Sequence, residues 1–280
     1  MKIIIHGGFF SESQTNLEIK QAKQQALRDI VQAGYKYLQN HTALQTAVYT
    51  VCLLEDCDLF NAGTGSQIQS DGKIRLSASL MDGKTQKFSG VINIEDVKNP
   101  ICIADKLMAY DDRVLSGKGA KEFATNNGVA YYNPETLQRR HEYEKKLSDS
   151  IRLGTVGCVA LDIYGNLAAA TSTGGKGFEI PGRVSDSATT AGNYANAYAG
   201  ISCTGVGEDI VSGSVASKIV TRVTDGMPIS AATEKTLDEL KPFDGFAGIV
   251  GISADGKIYH ADTHPYMVWA LHDGNVEVFE

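Results

Sequence analysis

Residues 154–175 read Gly-Thr-Val-Gly-Cys-Val-Ala-Leu-Asp-Ile-Tyr-Gly-Asn-Leu-Ala-Ala-Ala-Thr-Ser-Thr-Gly-Gly. Two arms, 155–162 and 166–173, flank a turn through Tyr164-Gly165-Asn166, so the stretch predicts a β-hairpin. Both arms are apolar at nearly every position, the pattern of strands covered on both faces. Just upstream, 135–149 is densely charged (Arg139, Arg140, Glu142, Glu144, Lys145, Lys146, Asp149) and reads as a solvated helix or a loose tether. Residues 155–205 then carry almost no charge and many glycines, serines and threonines, so the composition changes directly before Gly154-Thr155.

Working outward, residues 2–5 are apolar and β-branched and run into His6-Gly7-Gly8, a strand ending in a tight turn. Thr15 with Glu18 makes a capping box for a long helix whose inner face carries Leu17, Ala22, Ala26, Ile30 and Ala33. A second helix over about 42–54 presents Leu44, Ala47, Val48 and Val51. From about 60 to 95 the period is two, with a turn at Asp71-Gly72, which predicts strands. Pro100 marks a helix start and Gly128, after Asn126-Asn127, a helix end. Helices follow at about 208–221 and 228–241, then strands at about 246–253 and 257–262 joined by Asp255-Gly256. Hairpin-linked strands and helices in blocks argue for antiparallel sheets layered with helices: an α+β chain with helices outside and two sheets within.

The bulk properties narrow the function. A net charge of −7 and no basic run argue against nucleic acid. The apolar start MKIIIHGGFF is too short for a signal segment and no stretch approaches a membrane span, which with five scattered cysteines (Cys52, Cys57, Cys102, Cys158, Cys203) lacking CxxC spacing predicts reduced thiols and a cytoplasmic protein. Histidines 6, 41, 141, 260, 264 and 272 are spread out, and the spacing of His260 and His264 falls in a strand and loop, where it makes no metal face. There is no HExxH, no GxSxG elbow and no phosphate loop. What remains is a density of hydroxyls and glycines at Thr155, Thr171, Ser172, Thr173, Gly174 and Gly175, then Arg183, Asp186, Ser187, Thr204 and Gly205. Strand-forming threonines and turn-forming glycines account for that composition as well as a site does.

The segment 154–175 closely resembles the signature of the plant-type asparaginase and isoaspartyl peptidase family of N-terminal-nucleophile hydrolases. The likeness continues through Ile180-Pro181-Gly182-Arg183-Val184-Ser185-Asp186-Ser187, Cys203-Thr204-Gly205-Val206-Gly207-Glu208, Phe60-Asn61-Ala62-Gly63, Met81-Asp82-Gly83 and His6-Gly7-Gly8. The resemblance implies a four-layer αββα sandwich, a single domain over 1–280 that cuts itself at Gly154-Thr155 into an α chain 1–154, ending in the charged linker of about 135–154, and a β chain 155–280. Glycine at 154 suits strained backbone angles at the scissile bond.

By the same resemblance Thr155 is the nucleophile, its freed α-amino group the base, Thr173 the supporting hydroxyl, Thr204 and Gly205 the oxyanion donors, and Asn61 a residue that holds the site in shape. Arg183 and Asp186 match the groups that bind the substrate's α-carboxylate and α-ammonium, with Gly207 adding a backbone contact. The plain reading of Arg183 and Asp186 is a surface pair three residues apart. The implied substrates are asparagine and β-aspartyl peptides, without a cofactor for the chemistry, in a dimer of αβ heterodimers. A structural sodium ion would sit on backbone carbonyls of Leu54, Glu55, Cys57, Phe60, Ala62 and Thr64, a ligand set with no side-chain signature.

Departures from the usual pattern are Ser185 for glycine, Glu179 for lysine, Val206 for histidine, Phe9-Phe10 for small residues, and a shortened 188–201 loop. They touch substrate preference and remove no proposed catalytic group. Two rival readings stand beside this one: a glycosylasparaginase-type amidase, and a non-catalytic, uncleaved homologue acting as a binding or assembly protein.

Overall fold

A computed structural model describes residues 1–9, 16–145 and 154–280. In chain order the elements are β1 (Lys2–Phe9), α1 (Leu17–Leu38), α2 (Ala43–Asp56), β2 (Leu76–Asp82), β3 (Lys87–Ile94), α3 (Pro100–Leu107), β4 (Val114–Ser116), α4 (Gly117–Asn126), α5 (Leu137–Glu144), β5 (Thr155–Leu161), β6 (Leu167–Thr173), β7 (Asn193–Ala195), β8 (Ala199–Gly205), α6 (Gly207–Gly213), α7 (Val215–Thr224), α8 (Ile229–Asp238), β9 (Ala247–Ser253), β10 (Ile258–Asp262), β11 (Met267–His272) and β12 (Val276–Val278). They build two sheets: an eight-stranded one ordered β12-β11-β1-β5-β6-β2-β3-β4 and a four-stranded one ordered β10-β9-β8-β7.

The period of two in each strand sorts side chains into three cores. In β1, Ile3 and Ile5 face a core shared with Leu27, Val31, Val51 and Leu54 of α1 and α2. Ile4, between them, faces the opposite way and meets Val159 of β5 and Val250 and Ile252 of β9 between the sheets. A third core joins Ile201, Cys203 and Ile249 of the smaller sheet to Ile219 and Val220 of α7 and Leu237 of α8. Helix, sheet, sheet and helix are therefore stacked as an αββα sandwich, the arrangement of an N-terminal-nucleophile hydrolase. The hairpin at 155–173 forms its centre, since β5 lies between β1 and β6.

Several local expectations are corrected. His6-Gly7-Gly8 is not a turn: β1 runs on to Phe9, and the register against β11 shifts between His6 and Phe9 where Gly8 takes φ +89°. Thr15 lies outside the described residues, and the cap of α1 is Asn16, whose side chain accepts the Ile19 N–H. The buried stripe of α1 is Leu27, Ile30, Val31, Gly34 and Leu38, while Leu17 and Ala22 are exposed. Residues 60–75 hold no strand; 60–69 form a loop buried at every position but Thr64, although the turn at Asp71-Gly72 is present, closed by Gly72 N–H on Gln69 O.

Two helices, α3 and α4, occupy 100–126 with β4 between them. The segment 208–221 is broken at Ser214 (φ +50°) into α6 and α7. Within 135–145, α5 is less solvated than its charge suggests, since Arg139 is buried and donates from Nε to Gly65 O at 2.6 Å. Lys146 and Asp149 lie outside the described residues. All five cysteines are free thiols, with Cys52 and Cys102 facing each other across α2 and α3, Sγ to Sγ 2.8 Å.

Candidate active site

Thr155 opens β5 and pairs directly with Thr173, the last residue of β6. Both are buried, and the Thr155 hydroxyl donates to Thr173 Oγ1 at 3.2 Å. Thr173 Oγ1 in turn accepts the Gly175 N–H at 3.2 Å. Ser187 Oγ stands 3.5 Å from Thr155 Oγ1. One hydroxyl is thus set among others at the edge of a tightly paired hairpin, with its neighbour fixed by the backbone.

Asn61 closes the other side. Its amide donates to Gly175 O at 2.5 Å, its Oδ1 accepts the Gln67 N–H at 2.9 Å, and its carbonyl accepts the Gly174 N–H at 2.9 Å. A Cβ on Gly154 would lie 2.8 Å from Asn61 Cβ. This changes the reason for glycine at 154: the residue is absent from the positive-φ set, and space against Asn61, not a strained backbone angle, excludes a side chain.

Asp186 and Arg183 are not a surface pair. Asp186, in a single 3-10 turn over Asp186–Ala188, is 1% exposed. Its Oδ1 accepts the Ser185 hydroxyl at 2.8 Å, and its Oδ2 has no partner among the described residues. Burial in a low-dielectric setting pushes its carboxyl up to about 6, against the smaller opposing effects of Ser185 and Arg183. Arg183 gives Nε and Nη2 to the two carboxylate oxygens of Glu208 at 2.9 and 2.8 Å, a bidentate fork that holds the Glu208 carboxyl down near 2. Gly207 lies between them: a Cβ there would be 2.7 Å from Arg183 Nη2 and 2.9 Å from Asp186 Oδ1. Cation, anion and an open backbone therefore share one spot.

Thr204 and Gly205 end β8, just before Gly207 opens α6. Thr204 is fully buried, and its Oγ1 has no partner among the described residues. An orphaned buried hydroxyl is uncommon because it forfeits its hydration, and an oxygen that arrives only during reaction is one account of it.

Residues to which the sequence reading gave no role complete the arrangement. Ser185 and Ser187 line the path between Thr155 and Asp186, Oγ to Oγ 3.4 Å. Glu208 aims Arg183. Fully buried His6, neutral because burial pulls it down to about 3, meets Ser202 Oγ at 2.8 Å, and Ser202 meets Thr171 at 2.7 Å, pinning the two sheets together next to β5. A histidine and two hydroxyls far apart in sequence give no local signal; only the strand registers bring them together.

The loop after α2 is tightly closed. The carbonyls of Leu54, Glu55 and Cys57 accept N–H groups of Cys57, Thr64 and Phe60 at 3.3, 2.8 and 3.2 Å, and each keeps a second lone pair. The Glu55 side chain turns away to accept the Ile101 N–H at 3.1 Å. Main-chain oxygens are hard donors that suit a sodium ion, and the described residues hold no cluster of three or more His, Cys, Asp or Glu. Among them no helix is long and apolar enough to cross a membrane.

Comparison with known proteins bears on the same residues as a whole. The profile of the family described as Asparaginase matches residues 1–279. The chain belongs to the asparaginase family. Among similar proteins, the isoaspartyl peptidase/L-asparaginase of Nostoc sp. is 43% identical over 293 residues, covering 98% of this chain and 92% of its own. The isoaspartyl peptidase of Escherichia coli is 35% identical over 281 residues, 91% of this chain and 88% of its own. The plant-type L-asparaginase of Pyrococcus furiosus is 36% identical, covering 96% and 95%.

Proposed function

We propose that this family member is a threonine-nucleophile amidohydrolase that cleaves its own Gly154–Thr155 bond and then hydrolyses L-asparagine, β-aspartyl peptides or both. The observation that carries this reading is the Thr155 hydroxyl, buried at a strand start, backed by Thr173 at 3.2 Å and preceded by a glycine pressed against Asn61. The names of the relatives supply the substrate class.

In the uncut chain Thr155 Oγ1 attacks the Gly154 carbonyl carbon. The C–N bond breaks, its nitrogen takes up the proton, and water hydrolyses the resulting ester. The product is a Gly154 carboxylate and a free Thr155 α-amine whose reference pKa of about 7.7–8.0 suits a base near neutral pH. That amine takes the proton from Oγ1 as it attacks the substrate's side-chain carbonyl. The tetrahedral oxyanion forms toward the Thr204 hydroxyl and the Gly205 N–H. Collapse releases ammonia or an amino compound and leaves an acyl ester on Thr155, which water resolves. Arg183 holds the substrate α-carboxylate, and the unpartnered Oδ2 of Asp186 takes the α-ammonium. A sodium ion on the 54–64 carbonyls would stiffen the loop that carries Asn61. The cut chains would pair as a dimer of αβ heterodimers.

The test is a substrate panel. Purified, processed protein is given L-asparagine, a β-aspartyl dipeptide and a glycosylated asparagine, and the products are quantified. Release of ammonia or of the dipeptide's second residue, with an acyl adduct on the 155–280 piece, supports the reading. Turnover of only the glycosylated substrate moves the chain to the glycosylasparaginase type, and turnover of none to a non-catalytic homologue.

A further inference from the structure

The arm that carries Arg183 is built unlike the rest of the site. Ile180, Pro181 and Gly182 are exposed, and the arm closes on itself through Arg183 N–H on Ile180 O at 3.0 Å. Behind it lies a cavity of about 550 Å³, lined by Arg75, Asn93, Lys121, Gly182 and Val184 among others. The guanidinium end of Arg183 is tethered to Glu208, while the backbone of the arm borders this cavity.

Asn93 spans that gap. Its side-chain amide donates to two consecutive carbonyls of the arm, Gly182 O at 2.9 Å and Arg183 O at 3.1 Å. The residue has φ +53°, a left-handed conformation that asparagine tolerates better than most residues but still at a cost. It sits in a β-bulge: β2 and β3 pair Leu76 with Ile94 and Ala78 with Val91, so Ser77 alone opposes Ile92 and Asn93. Bulges re-aim side chains, and this one turns an amide out of the sheet toward the arm. Ser77 fixes the bulge by accepting the Asn93 N–H at 3.0 Å, and on its other side Ser77 pairs with Thr173. The line Thr155, Thr173, Ser77, Asn93, Arg183 thus connects the nucleophile to the arginine through strand register and hydrogen bonds alone.

We propose that Asn93 is a positioning residue for substrate recognition: its bulged amide sets the distance between Thr155 and the Arg183 guanidinium, and so enforces selection of substrates with a free α-carboxylate. The proposal rests on the reading of Arg183 as the carboxylate-binding group. It makes no contact between Asn93 and substrate, so its effect falls on KM and on selectivity.

The deciding variant is N93G, which accepts φ +53° without strain and deletes only the amide. N93D keeps size and shape but turns carboxylate oxygens toward two carbonyls. R183A is the control for the underlying reading. L-Asparagine and its α-carboxamide are compared as substrates of the processed enzymes. N93G and N93D are expected to raise KM for L-asparagine on the order of tenfold, the net effect of one or two hydrogen bonds, with kcat within about twofold and a smaller preference for the free carboxylate. A wild-type KM and preference in N93G overturns the proposal, because the backbone conformation alone would then suffice. If R183A also keeps the wild-type KM and preference, the assignment of the arginine falls as well; if R183A loses them, only the role of Asn93 falls.

Discussion

The buried carboxyl of Asp186 carries a stability cost that depends on pH. Burial raises its carboxyl from 3.8 to about 6, so the folded chain holds this proton more tightly than the unfolded chain does. Its contribution to stability is fully present below about 3.8 and is lost as pH rises through about 6. At neutral pH the buried charge costs roughly 3 kcal/mol. D186N, which keeps the shape and cannot ionise, is expected to unfold at higher urea concentration at pH 7.5, by up to roughly 3 kcal/mol, with little gain at pH 4. The same variant should lose at least about a hundredfold in kcat/KM, because the substrate ammonium loses its counter-charge. An unchanged or lower urea midpoint at pH 7.5 would contradict the assignment. Wild-type kcat/KM should also fall below pH 6 as Asp186 protonates. At this scale a motif could be matched for Thr155, Thr173, Arg183 and Asp186, and the structure brings Thr155 to Thr173 and both Arg183 and Asp186 to the backbone of Gly207. The sequence reading gave no role to Ser185, Glu208 or Asn93, whose contacts depend on which side chain a turn or bulge brings within 3 Å.

At the scale of elements, β8 is the instructive case. Residues 199–205 read Ala-Gly-Ile-Ser-Cys-Thr-Gly, short of the β-branched and aromatic bulk that marks a strand, and were not recognised as one. Yet β8 pairs with both β7 and β9 and is covered on both faces, so small residues are what the space allows. The opposite failure occurred at 60–75, where apparent alternation belonged to a buried loop. The hairpin 155–173 was legible because its arms are long, apolar and joined by a strong turn signal. The end of β8 carries a prediction: T204V removes a hydroxyl that has no partner among the described residues. It should lower kcat about 10²–10³-fold while leaving the melting temperature unchanged or higher, since an unsatisfied buried group is replaced by a methyl. A melting temperature several degrees lower would mean that Thr204 holds the fold and is not reserved for a developing oxyanion.

Over the whole molecule, the large sheet interleaves the two sides of the proposed cut. Strands β12 and β11 come from after Thr155, β1 from before it, β5 and β6 from after, and β2, β3 and β4 from before. Separating the pieces would break the ladders of β11 with β1, β1 with β5, and β6 with β2. Cleaved protein is therefore expected to run as two bands under denaturing conditions but to elute from a sizing column with both pieces together, until urea unfolds the sandwich. Pieces that part without denaturant would contradict this topology.

The most direct test of the central claim is the intact mass of freshly purified wild type and of T155A, followed over days at pH 7.5. The account predicts that wild type resolves into pieces of 154 and 126 residues, the second beginning with Thr155, while T155A stays whole. A wild-type chain that never divides, or a T155A chain that divides at the same bond, would contradict it.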